Sequence, residues 1–336
     1  MNKLRYACVF LFAFAVSQNL SAKEWSKKEL KAVKRDIGHT LAGNKPKKVY
    51  KEGNRFVLVG NSLVFRLEAH EQIETSWKKK YRAAFNGITQ LEGVDSAVFQ
   101  EITEAYNEMF ITRLQAMGVT VLPISELEKA KSFSKFRDGA KLSTGAEDGQ
   151  LFAKKKWGAA VTFTPENQYA IAVKDAAGPF SARNKVPREI ETFLYNAFTY
   201  INFASINMDI SQKFKSGGLG SGKMVSTGTT AVEPRIIIGE GTNSIAWGKA
   251  TYTLRIFLPE NEKNLDITSN LEYANSMESC SSNCPIRAKS QGGFLSPSKD
   301  TGVITIHADP VKYKAAVLDA LNNYLDLTFS LYAGKL

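Results

Sequence analysis

Apolar and polar positions along the chain fall into two periods. At residues 24–42, Leu30, Val33, Ile37 and Leu41 recur at helical spacing. Ser26 and Glu29 form a capping box, each satisfying a backbone N–H that the first turn leaves free. Lys27, Lys28, Lys31, Lys34 and Arg35 take much of the remaining surface, and Gly43-Asn44-Lys45-Pro46 breaks the pattern. A second helix is predicted from Ser96 to Met117. Asp95 is its cap, Val98, Ile102, Tyr106, Met109 and Met117 its apolar face, and Gly118 its stop. A third closes the chain, with Asp309 as cap and Pro310 in the first turn, where its missing N–H costs nothing. Its stripe is Val317, Leu318, Leu321, Leu325, Phe329 and Tyr332. Shorter helices are expected from a second capping box, Ser125 with Glu128, and after Pro187.

The other period is two. Arg55–Glu68 reads as a strand, with Gly60-Asn61 as a hairpin turn or bulge. Val119–Leu122 is a short β run. Ala159–Phe163 and Tyr169–Val173 flank a Pro165-Glu166-Asn167 turn. From Phe198 the alternation is strict. Tyr200, Ala204, Ile206, Met208, Ile210 and Phe214 share one side, and Thr199, Ser205, Asn207, Asp209, Ser211 and Lys213 the other. A long half-buried strand follows from that, then a Gly/Ser/Thr-rich loop over 216–230. Further strands are predicted at Pro234–Ile238, Ile245–Leu258 and Val303–Ile306, and a polar loop at 137–150. The fold class is mixed α/β: a mixed sheet flanked by helices, with an amphipathic helix at either end.

The first 22 residues change the picture. Lys3 and Arg5 precede an apolar run from Tyr6 to Val16, and Leu20-Ser21-Ala22 puts a small residue at the expected cut. This is the order of an export signal, and a run of about eleven residues is too short to span a bilayer as a helix. Cys8 lies inside the run, not just after it, which argues against a lipoprotein anchor. The expected product is periplasmic or secreted, without a transmembrane helix. Its organisation is a signal peptide at 1–22, a basic helical arm at 23–54 and one mixed α/β domain at 55–336.

Charge is uneven. The chain carries +11, of which Lys3 and Arg5 leave with the signal. Residues 23–54 hold ten basic residues against Glu24, Glu29, Asp36 and Glu52, most of the remaining excess. Such asymmetry implies an anionic neighbour. Outside the cytoplasm that is an anionic envelope surface or envelope protein rather than nucleic acid. Lys27, Lys28, Lys31, Lys34 and Arg35 are the candidate contacts; a plain solvated helix is the other reading. Cys280 and Cys284 are the two cysteines left after cleavage, and in an oxidising compartment they are expected to pair.

The candidate chemistry is thin. Gly217-Gly218-Leu219-Gly220-Ser221-Gly222-Lys223-Met224 has phosphate-loop spacing, but Met224 stands where a metal-binding hydroxyl is needed. Ser-x-x-Lys occurs at Ser76, Ser132 and Ser296 with no companion motif. His39, His70 and His307 are the only histidines, none at metal-ligand spacing. No cofactor and no metal are expected. Trp77-Lys78-Lys79-Lys80-Tyr81 and Lys154-Lys155-Lys156-Trp157 fit a lipid headgroup boundary, or a core tryptophan with a solvated basic flank.

One stretch has a familiar order. The helix ending Phe110-Ile111-Thr112-Arg113-Leu114-Gln115-Ala116-Met117-Gly118 is followed by Val119-Thr120-Val121-Leu122 and the helix at Ser125-Glu126-Leu127. After a gap comes Leu151-Phe152-Ala153-Lys154-Lys155-Lys156-Trp157-Gly158-Ala159-Ala160-Val161. This resembles periplasmic α/β domains of the curli-secretion-channel and TolB N-terminal type, over about 60 residues. The resemblance implies an envelope assembly part rather than an enzyme, and it carries over no catalytic residue. The curli channel is a lipoprotein; no lipid-bearing cysteine is present here.

The expected function is therefore non-catalytic binding or assembly at the cell envelope, with oligomers possible. An exported hydrolase with a site built from distant residues is one alternative. An oligomeric channel component, with strands near 198–214 and 245–258 forming hairpins, is the other. Two outcomes are expected of the exported protein. Its intact mass begins at or near Lys23, and thiol labelling of the denatured, unreduced chain finds no free thiol at Cys280 or Cys284.

Overall fold

The computed structural model describes residues 55–77, 81–137, 140–143, 150–154, 158–171, 182–216, 222–247, 250–256, 267–280 and 302–332. Residues 1–54, with the expected signal and basic arm, lie outside them. The class is mixed α/β, as expected, with parallel and antiparallel pairs in the same sheet.

Strand β1 (Arg55–Arg66) is the spine. It is apolar almost throughout, and all its residues from Phe56 to Phe65 are buried. Phe56 and Leu58 face the main core, and so do Leu63 and Phe65, although their parity differs. A register slip between Leu58 and Gly60 explains this, because one extra residue turns every later side chain to the opposite face. The bulge expected at Gly60-Asn61 is this slip. A Cβ on Gly60 would lie 2.5 Å from the Tyr169 carbonyl oxygen, so the backbone approach needs glycine.

On one edge, β1 pairs in parallel with β4 (Thr120–Leu122) near its start and antiparallel with β7 (Gly158–Phe163) near its end. On the other edge it pairs in parallel with β9 (Phe193–Ser216), from Phe56↔Phe193 to Phe65↔Ile201. β6 (Gln150–Lys154) extends the sheet beyond β7, and β10 (Gly222–Trp247) and β11 (Ala250–Ile256) extend it beyond β9. The short β12 (Ile267–Thr268) also pairs with β10.

A second sheet orders β13 (Ala274–Cys280), β14 (Gly302–Ala308), β3 (Tyr81–Glu92) and β2 (Glu68–Trp77). The chain passes from the first sheet to the second at Leu67, whose N–H donates to the Ala159 carbonyl and whose carbonyl accepts from Leu91 N–H. β5 (Ala140–Leu142) and β8 (Tyr169–Ile171) form a separate pair.

Helix α1 (Ser96–Ala116) begins as expected, with the Asp95 carboxylate accepting from Val98 N–H at 3.0 Å. Its buried face is Phe99, Ile102, Tyr106, Phe110 and Leu114; Val98, Met109 and Met117 are only partly buried. The short helices α2 (Phe133–Arg137) and α3 (Ala182–Glu189) lie between α1 and the closing helix α4 (Pro310–Tyr332) in sequence. α4 packs along α1 on one face of the first sheet, where Phe110 stacks on Tyr195 at 4.6 Å and meets Phe329 edge-on at 5.3 Å. Arg113 ties the helix pair at its rim, 2.6 Å from the Asp326 carboxylate. The opposite face of β1 packs Val57 and Val59 against Leu127, Ala130 and Val186.

Several expectations change. The capping box at Ser125 does not form: Ile124–Lys129 is a 3₁₀ turn entered from Pro123 with no side-chain cap. α3 starts before Pro187 and contains it. Residues 140–142, expected as loop, are a strand paired with β8, and the strands around Pro165-Glu166-Asn167 belong to different sheets. At its base β9 is buried on both sides, since Thr199, Ile201 and Phe203 lie on the side that alternation made polar.

The largest change concerns the glycine-rich stretch. Most of the expected loop at 216–230 is the first part of β10, paired with β9 from Gly222↔Ser216 onward. The stretch expected as one strand at 245–258 is instead the hairpin of β10 with β11, closing at Trp247↔Ala250. Hence 198–214 and 245–258 are not hairpin partners; residue 198 pairs with 242, and 214 with 224.

Gly93 joins β3 to α1 at φ +86, and a Cβ there would lie 2.4 Å from the Ala308 carbonyl oxygen. Gly93→Ala is expected to lower stability by roughly 1–3 kcal/mol through backbone strain alone. Asp95→Ala should cost about 1 kcal/mol, the usual worth of a lost N-cap. Thermal unfolding followed by circular dichroism checks both.

Candidate functional site

The first sheet has one feature that its core does not require. β9 continues for fifteen residues after its last pair with β1, from Asn202 to Ser216, and β10 returns beside it. Between Ser205–Ser216 and Gly222–Glu233 the two strands have only each other as hydrogen-bonded neighbours among the described residues. At about 3.3 Å per residue this two-stranded ribbon is roughly 40 Å long. Each strand therefore presents an open edge. Register shifts at Pro234/Ile237 and Ile238/Gly241 bend β10 where the ribbon leaves the sheet.

A second ribbon, β2 with β3, leaves the end of β1 from which β9 continues. It is four-stranded in its lower part, where β14 pairs with β3 from Gly302↔Gly87 to His307↔Glu92. Beyond Gly87 only β2 accompanies β3, up to the closing pair Trp77↔Tyr81. β2 and β3 lie against β9 at the base of the long ribbon.

Along both ribbons, directly paired residues share a face. In β9–β10 one set of positions is Ala204, Ile206, Met208, Ile210 and Phe214 with Val232, Thr230, Gly228 and Met224; the other is Ser205, Asn207, Asp209 and Lys213 with Glu233, Ala231, Thr229 and Val225. In β2–β3 one set is Ile73, Thr75 and Trp77 with Phe85, Ala83 and Tyr81, and the other Gln72, Glu74 and Ser76 with Asn86, Ala84 and Arg82. The first set is the more apolar in each ribbon, interrupted in β9–β10 by the polar pair Gln212↔Ser226.

The histidines with described positions have acidic neighbours. His70 Nε2 lies 3.2 Å from a carboxylate oxygen of Glu68, which is fully buried at the joint of the two sheets. A Cβ on Gly158 would lie 2.8 Å from the Glu68 Cβ, so this strand crossing admits only glycine there. On β14, His307 lies 3.6 Å from Glu92 on one side and 3.6 Å from Glu278 on the other. His39 falls outside the described residues.

Ser132, one of the Ser-x-x-Lys serines, donates its hydroxyl to Glu189 Oε1 at 2.7 Å, and its N–H donates to Oε2 at 2.8 Å. These two bonds hold the Glu189 carboxyl below the usual carboxylate range. The pair joins α2 to α3 and is exposed, a structural clasp rather than a nucleophile.

A buried polar seam fixes the sheet to α1. Asn61 N–H donates to Gln168 Oε1 at 2.8 Å, Gln168 Nε2 donates to Asn107 Oδ1 at 2.9 Å, and the Ser62 and Thr164 hydroxyls lie 2.8 Å apart. Tyr106, Tyr273 and Tyr313 are held neutral by burial, their phenols raised far above the ordinary value. The Tyr273 hydroxyl donates to the Phe203 carbonyl, anchoring the base of the long ribbon.

The glycine-loop reading fails in geometry. Lys223 and Met224 belong to β10, and no helix opens behind them to face a phosphate. Among the described residues no group of three or more His, Cys, Asp or Glu is arranged to hold a metal ion, and no helix is long and apolar enough to cross a membrane. Cys280 ends β13, and Cys284 lies outside the described residues, as do Lys27, Lys28, Lys31, Lys34 and Arg35. The two ribbons escaped the sequence reading as a pair. Alternation exposed β9, but Glu68, Glu71 and Glu74 hid β2, and the glycines and threonines of 222–230 hid its return strand.

The Glu189 clasp makes a pH prediction. Its folded carboxyl titrates below its unfolded value, so the ionised form stabilises the fold above the unfolded pKa, and the gain fades as pH falls through the folded one. Ser132→Ala should move the Glu189 titration, followed by NMR, upward toward the ordinary carboxylate range, while the retained Ser132 N–H bond keeps part of the shift. Any small loss of stability at neutral pH should vanish in acid.

No family model matches the chain, and no curated protein or solved structure matches it.

Proposed function

We propose that this is an exported, non-catalytic protein of the cell envelope whose role is assembly, and that it associates through the open edges of the β9–β10 ribbon. The observation that carries the reading is the length of that ribbon beyond the sheet. A two-stranded ribbon with unpaired N–H and C=O groups on both sides is a template for further strands. Natural proteins blunt such edges by keeping them short; this one is about 40 Å long. One edge strand runs away from the body and the other toward it. A neighbouring copy related by rotation can therefore lay its β10 edge antiparallel on this β9 edge, and repetition around a ring pairs both edges of every copy and leaves none open.

The same ribbon gives a second reading some support: an oligomeric channel component. A membrane-spanning strand needs about 9–11 residues with apolar and polar positions alternating. The free part of β9 has twelve, Ser205–Ser216, and alternates from Ser205 to Ser211, with Gln212 interrupting the apolar side before Phe214.

Shortening the ribbon tests the proposal. Asn207 and Ala231 are paired, so an Asn-Gly turn can join them in place of 208–230. The full mature chain is expected to form assemblies of defined stoichiometry by light scattering and native mass spectrometry. The shortened chain should be monomeric, with unchanged helical circular dichroism. A full chain that stays monomeric in solution and in detergent, or a shortened chain that assembles equally well, contradicts it.

A further inference from the structure

The two ribbons share a charge order that neither sequence stretch displays by itself. In β2 the acids Glu68, Glu71 and Glu74 occupy the first seven positions, nearest the body. Past Glu74 the ribbon holds only Arg82, and three lysines, Lys78-Lys79-Lys80, join β2 to β3 in the sequence. In β9–β10 the acids are Glu233, paired with Ser205 near the body, and Asp209. Past the Asp209↔Thr229 pair the charges are Lys213, Lys215 and Lys223, with no acid among them. Lys215 and Lys223 are directly paired. Two like charges opposite each other in a sheet oppose pairing, so their placement calls for a partner of opposite sign.

Aromatic and long apolar residues sit at the same ends. Trp77 is paired with Tyr81 as the last pair of β2–β3, six pairs beyond the last β3 residue that β14 supports. Phe214 is paired with Met224, two pairs before the end of β9–β10. The plain reading of Trp77 from the sequence is a core tryptophan with a solvated lysine flank. Register places it six pairs out on the two-stranded part of the ribbon, about 20 Å along the strand from the last pair that β14 supports.

From this juxtaposition we infer that the ends of both ribbons seat on an anionic phospholipid surface, the aromatic pairs at headgroup level and the basic positions among the phosphates. Indole and phenol rings favour the boundary between headgroups and acyl chains. Lysine and arginine stems lie along the apolar zone while their charges meet phosphate. Each basic residue near an anionic leaflet is worth about 1 kcal/mol, screened by salt. The inference does not depend on strand-edge association; a monomer can carry it.

Trp247 provides an internal reference. It closes β10 at Trp247↔Ala250, where Ala246 pairs with Leu194 beside the start of β9. It therefore lies at the far end of a 26-residue strand from Lys223.

The experiment uses the full mature chain in two single-tryptophan forms, one keeping Trp77 and one keeping Trp247, the other tryptophans replaced by phenylalanine. Both are mixed at low salt with vesicles of phosphatidylcholine containing a quarter phosphatidylglycerol and brominated acyl chains. Trp77 fluorescence is expected to be quenched and blue-shifted, and Trp247 fluorescence unchanged. The triple variant Lys213→Gln, Lys215→Gln, Lys223→Gln should bind the same vesicles weaker by up to roughly a hundredfold, the sum of three such contributions. A variant with Lys27, Lys28, Lys31, Lys34 and Arg35 all changed to Gln separates the basic arm. Circular dichroism of every variant confirms folding. Equal response of Trp77 and Trp247, no quenching of Trp77, or binding lost with the arm and untouched by the ribbon triple overturns the inference. Vesicle binding by a chain that remains monomeric upholds it while refuting strand-edge assembly.

Discussion

Burial of β1 on both faces, with hydrogen-bonded neighbours along both edges, is the constraint on which the rest depends. A strand so placed must be apolar except where a buried polar group is hydrogen-bonded, and in β1 the buried exceptions, Asn61 and Ser62, have partners in Gln168 and Thr164. Its bulge lets one strand serve one core at both ends while its other face serves a second cluster. Because β1 and β9 run in parallel, the end of β1 fixes the place from which β9 continues alone. An isolated two-stranded hairpin is marginal in water. This one begins as part of an eight-stranded sheet, so its first nine residues are ordered before any ribbon pairing is needed. Tyr273, bonded to the Phe203 carbonyl, and the bulges of β10 strengthen and bend that base.

The joint at Leu67 completes the arrangement. One residue passes the chain from the first sheet to the second, so the β2–β3 ribbon leaves from the same end as the β9–β10 ribbon. The crossing is tight: Gly158 leaves no room for a Cβ beside Glu68, whose carboxylate is buried with His70 as its neighbour. A buried carboxylate is tolerated only where something answers it. The helices make a rigid support of the other side, through the Phe110–Tyr195–Phe329 ring cluster and the Arg113 bridge to Asp326. The proposed strand-edge association would draw on this stiff body to hold the β9–β10 ribbon out.

Residue pattern alone specified the elements whose signals are local. α1 and α4 were legible because caps and a 3.6-residue period act within a few turns: Asp95, Asp309 and Gly118 do in the fold what their sequence positions required. β9 was legible from alternation, and the class from the mixture of periods. The buried stripe of α1 came out rotated, onto Phe99, Phe110 and Leu114. Several neighbouring positions were apolar, and the sheet beneath chose among them.

Tertiary structure decided whatever depends on a distant partner. Residues 222–233, rich in glycine, serine and threonine, have little strand signal of their own, and become a strand because β9 offers a matching edge. Ser125 was a competent cap that Pro123 displaced by starting a tighter turn. The sequence pattern placed no strand at 69–77, and β2 is one because β3 supplies its hydrogen bonds. Local chemistry travels with the residues and can be read from them. Register between strands is settled only when the backbones meet, and that meeting put Trp77 and Tyr81 at the end of one ribbon and Lys215 and Lys223 at the end of the other.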